Sequence, residues 1–265
     1  PVVLMGLASC SHSGTGHAAL PDPRAVDKSV PEYKNPFHPS TYAHFVARKD
    51  YRKTYDVYKD DTLLNRQPKK SRKIFVCLDE QRGQYLVDGL VAMDFPLSSG
   101  VKAYPTKTCD YAVISKKEDH ASNLYGKMYD AEGKCINYNA ESTDPIPEGG
   151  RFDGSPMPYW QRLTNAGLGL HVGKVRRHPV SHGCVRLPRN VAEILYRQTS
   201  IGTPVTIQKT PLPVPEAQKI PPAQQQESEG RKQYPAGKTL PSKHKLFKKD
   251  CPESSLFSIP FFPRH

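Results

Sequence analysis

Leu170-His-Val-Gly-Lys-Val-Arg-Arg-His-Pro-Val-Ser-His-Gly-Cys-Val-Arg-Leu187 gathers His171, His178, Ser181, His182 and Cys184 within fourteen residues. A cysteine is a strong nucleophile only as thiolate, and a free thiol is only a few per cent ionised at pH 7. A neighbouring imidazole that lowers the thiol pKa by about 3 units makes ionisation nearly complete. Gly183, without a Cβ, lets the chain turn sharply and lets a carbonyl group approach the adjacent amides, as oxyanion stabilisation requires. The stretch predicts a nucleophilic cysteine assisted by histidine. Zinc ligands usually come in paired Cys-x-x-Cys or His-x-x-x-His spacings, which the rest of the chain does not supply, so no metal is expected.

Outward from that stretch the chain reads as strands. Ile74–Leu78, Gln84–Asp88, Leu90–Phe95 and Tyr111–Ile114 are short apolar runs. Arg82-Gly83, Asp88-Gly89 and Ser99-Gly100 punctuate them as hairpin turns would, which predicts a β-meander. Residues 115–163, rich in Gly, Pro, Asn and Asp, read as a long loop and a candidate substrate-covering segment. Within it Met157-Pro-Tyr159-Trp160 either plugs the core or walls a cleft. Gly167–Gly173 reads as a strand, and its period of two turns His171 away from the face of Leu170 and Val172. Asn190 and Glu193 form a capping-box pattern ahead of a short helix with Val191, Ile194 and Leu195. Gly202–Ile207 closes the set as a last strand.

On His171, then Ser181-His182-Gly183-Cys184-Val185-Arg186, the sequence resembles the L,D-transpeptidase catalytic family. The likeness runs over residues 73–208, including Phe95–Gly100, Pro105-Thr106 and the closing helix and strand. It implies a mainly β domain of sandwich or meander type with one short helix after the catalytic turn. It also implies attack on a peptidoglycan tetrapeptide stem through a thioester, followed by transfer to an amine, without any cofactor. By the same resemblance Cys184 is the nucleophile and His171 the general base, with His182 the competing candidate. Ser181, His182 and Gly183 form the turn whose amides hold the oxyanion, and Arg186 anchors the site or holds a substrate carboxylate. Tyr159 and Trp160 are candidate substrate contacts. Only nine residues separate His171 from Ser181, fewer than the family's usual spacing, which is why the two histidines compete. A hydrolase using the same cysteine, and an inactive wall-binding lipoprotein, are the alternatives.

The flanks differ in composition. Of the 265 residues 26 are proline, roughly twice the usual share of about 5%, so part of the chain builds no core. Residues 11–73 hold 13 Lys and Arg against 7 acids, residues 208–265 hold 10 against 5, and residues 74–207 are balanced at 15 against 14. The +12 net charge therefore belongs to the flanks and argues against a nucleic-acid groove. Leu7-Ala-Ser-Cys10, followed by Ser11, resembles the end of a bacterial lipoprotein signal. This implies lipidation of Cys10 and an exported protein held at the outer membrane facing the periplasm. The expected organisation is a signal remnant at 1–10, a tether with a short helix at 11–72, a catalytic domain at 73–209 and a disordered basic tail at 210–265. The tail ends in an apolar tip, Leu256 to Phe262, which is a candidate protein contact. An exported chain permits disulfides among Cys77, Cys109, Cys135 and Cys251, with the pairing open.

Overall fold

The computed structural model describes residues 22–68 and 71–219, so Cys10, Cys251 and the apolar tip Leu256 to Phe262 lie outside the described residues. The described residues are mostly β, in three sheets. The first contains β1 (Tyr58–Lys59), β2 (Arg72–Cys77), β3 (Arg82–Val87), β4 (Leu90–Pro96), β5 (Cys109–Ala112) and β13 (Pro204–Gln208), in the order β1-β4-β3-β2-β13-β5. The second contains β6 (Ser115–Lys117), β10 (Trp160–Arg162), β11 (Gly169–Val172) and β12 (Val185–Leu187), in the order β12-β11-β10-β6. The third, β8-β7-β9, is made of β7 (Ala121–Tyr129), β8 (Cys135–Glu141) and β9 (Arg151–Pro156). Among the described residues three short α-helices, α1 (Tyr42–Ala47), α2 (Asp61–Asn65) and α3 (Arg189–Gln198), and one 3-10 turn, Glu216–Gln218, accompany the sheets.

Three of the four runs form the meander β2-β3-β4; the fourth, β5, pairs with β13 instead of β4, so Ser99-Gly100 closes no hairpin and Gly100 bridges to Ser181. Asp88 and Gly89 both take positive φ, 51° and 81°, which is the backbone that a two-residue hairpin turn demands. Arg82-Gly83 instead lies inside β3, and the preceding turn is carried by Gln81 at φ 48°. One face of the first sheet packs Ile74, Val76, Tyr85, Met93 and Phe95 against Leu170, Val185, Leu187 and Leu195 of the second sheet and α3. Helix α3 begins at Arg189 after Pro188, whose φ of −57° already suits a helix. The capping box of Asn190 and Glu193 therefore does not form: Asn190 falls inside the first turn, and Glu193 pairs with Arg197 at 2.6 Å.

Residues 115–163 are not the loop their composition suggests. They supply β6 to β10, including the whole third sheet. Most positions of β8 are exposed, and β7 and β9 are only partly buried, so these strands lack the apolar alternation by which strands are recognised. Their glycines serve other ends: a Cβ on Gly126 would lie 2.1 Å from the Asp153 carbonyl oxygen, and one on Gly154 1.9 Å from that of Ser122.

From residue 22 onward, the region read as a tether packs on the other face of the first sheet. Tyr42, Phe45, Val46 and Tyr51 bury against Val91 and Val214. Beneath them Asp94, fully buried, receives Arg82 Nε at 2.5 Å and the hydroxyls of Tyr42 and Tyr51 at 2.8 Å each. Arg82 also donates to the carbonyls of Thr54 (3.2 Å) and Asp56 (3.1 Å). The contact is made by polar groups reaching a buried ion pair, which an apolar pattern along the chain does not reveal. The start of the expected tail docks as well. Val214 is buried, and the side-chain amide of Gln218 accepts from Val91 N at 2.7 Å and donates to its carbonyl at 3.0 Å, so it pairs with β4 as a strand would.

The Asp94 cluster yields a stability test. Asp94→Ala leaves the Arg82 guanidinium buried without its carboxylate, and a loss of about 3–5 kcal/mol is expected in urea unfolding. Tyr42→Phe removes one hydrogen bond and should cost about 1 kcal/mol. Equal midpoints for the wild type and Asp94→Ala would show that the pair does not hold the segment.

Candidate active site

Strands β11 and β12 run parallel, with Leu170 opposite Val185, His171 opposite Arg186 and Val172 opposite Leu187. Leu170, Val185 and Leu187 point into the core, so His171, Cys184 and Arg186 share the opposite face. Strand β10 adds to that face through the pairing of Arg162 with Gly169. Two rows result: Arg186, His171 and Trp160, then Cys184, Gly169 and Arg162. They floor a cavity of about 580 Å³, whose other wall comes from the third sheet through residues such as Tyr125 and Tyr138. Trp160 is 2% exposed and lies between the rings of His120 (5.1 Å) and His171 (5.9 Å), so it belongs to core and cleft at once. Tyr159 does not line the cavity. Its φ of 55° turns it toward α3, where it meets Tyr196 edge-on at 5.6 Å.

The turn that carries Cys184 is braced from two sides. Ser181 Oγ donates to the Cys184 carbonyl at 2.5 Å and accepts from Gly183 N at 3.1 Å. Thr106 Oγ1 accepts from Gly100 N at 2.8 Å and donates to the Gly183 carbonyl at 2.6 Å. The Ser99 carbonyl accepts from Val180 N (2.8 Å) and Ser181 N (3.1 Å). Both glycines are required. Gly183 has φ 115°, and a Cβ on Gly100 would lie 2.1 Å from the Tyr104 carbonyl oxygen and 2.8 Å from Gly183 Cα. These bonds correct the expected oxyanion donors. The Ser181 and Gly183 amides are already occupied, and among the described residues the amides without a partner in this turn are those of His182 and Cys184.

The two histidines separate clearly. His171 Nδ1 lies 2.7 Å from the Val172 carbonyl oxygen, which can only accept, so the proton is on Nδ1 and Nε2 keeps its lone pair. Burial first, then Arg186 and His120, lower its pKa to about 4. His182 is exposed at the cleft mouth, stacked on Tyr125 at 4.3 Å and tilted against Tyr104 at 4.9 Å. His178 is exposed and bonds only the Arg176 carbonyl, at 3.0 Å.

Cys184 is not the ready thiolate that the sequence suggests. Burial raises its pKa above the ordinary thiol value, despite a hydrogen bond from the Gly169 amide and the charge of Arg186. Its Sγ donates to the Gly167 carbonyl at 3.3 Å. Both groups are desolvated, and desolvation disfavours each charged form, so burial favours the neutral thiol and imidazole over the ion pair. Cys77 and Cys135 are free thiols, whereas Cys109 is disulfide-bonded. The Gly167-Leu-Gly169 spacing just before His171 was the sequence signal for this backbone contact to sulfur. Nothing local marked His120, Tyr104 or Tyr125.

The model of the L,D-transpeptidase catalytic domain family (YkuD) matches residues 71–207. A curated relative, a probable L,D-transpeptidase 3 of Mycobacterium tuberculosis, is 31% identical over 121 residues, which is 43% of this chain and 38% of that protein. The chain thus spans well under half the length of this relative. Among solved structures, an L,D-transpeptidase from Mycobacterium smegmatis is 21% identical over 52% of this chain and 58% of that chain, with a TM-score of 0.40. One from Stackebrandtia nassauensis is also 21% identical, over 66% of this chain and 68% of that chain, with a TM-score of 0.39.

The resting protonation state has a measurable consequence. Iodoacetamide reacts with thiolate, so its rate at Cys184, followed by peptide mass spectrometry, should climb close to tenfold per pH unit between about pH 6 and 8. His171, which protonates only near pH 4, should add no inflection in that range. A rate that is flat from pH 5 to 8 would instead reveal a preformed thiolate–imidazolium pair.

Proposed function

The chain belongs to the L,D-transpeptidase catalytic domain family, and from that premise we propose that it is a cysteine acyltransferase acting on peptidoglycan tetrapeptide stems. The observation that carries this reading is the placement of Cys184 and His171 on one face of adjoining parallel strands, with His171 Nδ1 tied to a carbonyl and Nε2 left as acceptor. Cys184 Sγ attacks the carbonyl carbon of the stem's scissile bond while His171 Nε2 takes the thiol proton. The tetrahedral oxyanion lies against the free amides of His182 and Cys184. Collapse breaks the C–N bond, the departing amine takes the proton from imidazolium, and the acyl group stays on sulfur as a thioester. An incoming amine then attacks, gives its proton to His171 and expels the thiolate, which takes that proton back from the imidazolium, so the neutral thiol and imidazole are restored and bonds and protons balance over the cycle.

His171 is favoured as base over His182 because imidazole Nε2 must face the thiol, and the His182 ring at the mouth is stacked on Tyr125 and tilted against Tyr104. Its neighbour Gly183 still needs the turn intact, so His182 acts through geometry. The same proposal places the protein at the outer membrane facing the periplasm through lipid on Cys10, supported by the Leu7-Ala8-Ser9-Cys10 box with Ser11 behind it.

Muropeptides incubated with the protein should give an intact-mass thioester adduct and new crosslinked or amine-exchanged stems. Cys184→Ala should abolish both, and a variant that still turns over would unseat the nucleophile. Product in which water has replaced the amine would mark a hydrolase. His171→Gln should acylate at least about 100-fold more slowly at pH 7, with partial recovery as pH approaches about 8.5. His182→Ala should also be slow, but without that recovery. Cys10→Ala protein that still partitions with membranes would remove the lipid anchor from the proposal.

A further inference from the structure

The cleft that holds Cys184 is charged in one sense. Lys107, Arg162, Lys174 and Arg186 line it, and among the described lining residues there is no Asp or Glu. Arg162 and Arg186 are partly buried and, among the described residues, neither makes an ion pair. A guanidinium held in a half-enclosed cleft without a carboxylate is an incomplete site, since its lost hydration is not made good by a partner.

The register places Arg162 in relation to the nucleophile. Arg162 is opposite Gly169, and Cys184, two residues before Arg186, flanks Gly169 on the other side. Between thiol and guanidinium the floor therefore carries no side chain. Glycine is enforced there, because a Cβ on Gly169 would lie 2.5 Å from the Trp160 ring. Two strand spacings put the Arg162 and Cys184 backbones about 10 Å apart. An extended peptide advances about 3.3 Å per residue, so a group one or two residues from the attacked carbonyl falls within reach of an arginine. Arg186, on Cys184's own strand, flanks the thiol along the strand, so the charge at Arg162 serves a different part of the substrate.

We propose that Arg162 is a specificity-determining residue that binds a free carboxylate on the acyl donor, so that the site selects stems bearing carboxylates over the same stems bearing carboxamides. The inference rests on the thioester reading given above. The planar guanidinium fork offers two parallel N–H donors, which a carboxylate accepts with both oxygens. A carboxamide presents one oxygen and one NH₂ group, and the NH₂ group faces the fork donor to donor. With no acid in the lining, the other cations add attraction for the carboxylate and none for the amide.

The test uses two soluble tetrapeptide stems identical except for a carboxylate or carboxamide one residue from the scissile bond, with Cys184 acylation read by intact mass. The wild type should show at least about tenfold higher kcat/KM for the carboxylate, mostly through KM, with the ratio shrinking as salt rises. Arg162→Gln should bring the ratio toward one, and Arg162→Lys should restore part of it, which distinguishes a contact with substrate from a role in packing. Iodoacetamide labelling of Cys184 in each variant confirms an intact site. Equal rates for the two stems with wild type, or a preference that survives Arg162→Gln in a site that still labels, would overturn the inference alone. Failure of both stems to acylate wild type would overturn the thioester reading and this inference with it.

Discussion

The parallel pairing of β11 with β12 is the constraint around which the rest is arranged, because it alone brings His171 and Cys184 to one face. Parallel neighbours need a crossover of a dozen or more residues, usually containing a helix. Here residues 173–184 make the crossing with no helix, so the loop cannot satisfy its own backbone. Its bonds are supplied from elsewhere. Gly173 N reaches the Leu187 carbonyl at 3.0 Å, Arg176 N reaches Ser98 Oγ at 2.7 Å, and Val101 N closes on the Ser181 carbonyl at 2.9 Å. The segment after β4 thus exists in its particular path to receive this loop.

The N-terminal segment serves the same loop from the far side. Arg177, at φ 57°, points its guanidinium to the carbonyls of Arg52, Thr54 and Glu80. The Thr54 carbonyl is shared with Arg82, which is paired with Asp94 and also bonds the Asp56 carbonyl. A continuous set of bonds therefore runs from a buried carboxylate in β4, through the N-terminal segment, to the loop that precedes the nucleophile. The short spacing between His171 and Ser181, which leaves the loop little room of its own, is matched by anchors placed outside it.

What was legible in the sequence follows from which patterns carry their own physics. The Ser181-His182-Gly183-Cys184 turn, the Asp88-Gly89 hairpin and the buried strands β2 to β4 each announce themselves through local chemistry. The third sheet does not, because its strands are largely solvent-facing and its glycines mark close backbone contacts as often as turns. The packing of residues 22–66 was not visible, because Asp94, to which Tyr42 and Tyr51 donate, lies in a strand that reads simply as apolar. The electrostatics of the site were not legible for a different reason. Proximity of imidazole to thiol argues for an ion pair, while burial, which spacing cannot reveal, argues for neutrality and is the larger effect here.

That neutrality shapes the energetics of attack. A histidine at about 4 instead of an ordinary 6.5 is a weaker base by roughly 3 kcal/mol, and the raised thiol pKa adds to the deficit. The same desolvation keeps His171 unprotonated and able to accept throughout the neutral range. The groups that offset the deficit are all aimed at negative charge: the Gly169 amide at sulfur, the His182 and Cys184 amides beside it, and the Arg186 charge along the strand. None of them gains much from a neutral thiol, and each gains as charge passes to sulfur and then to the substrate oxygen. Their stabilisation is therefore larger in the transition state than in the resting enzyme, which is the condition under which binding groups accelerate a reaction.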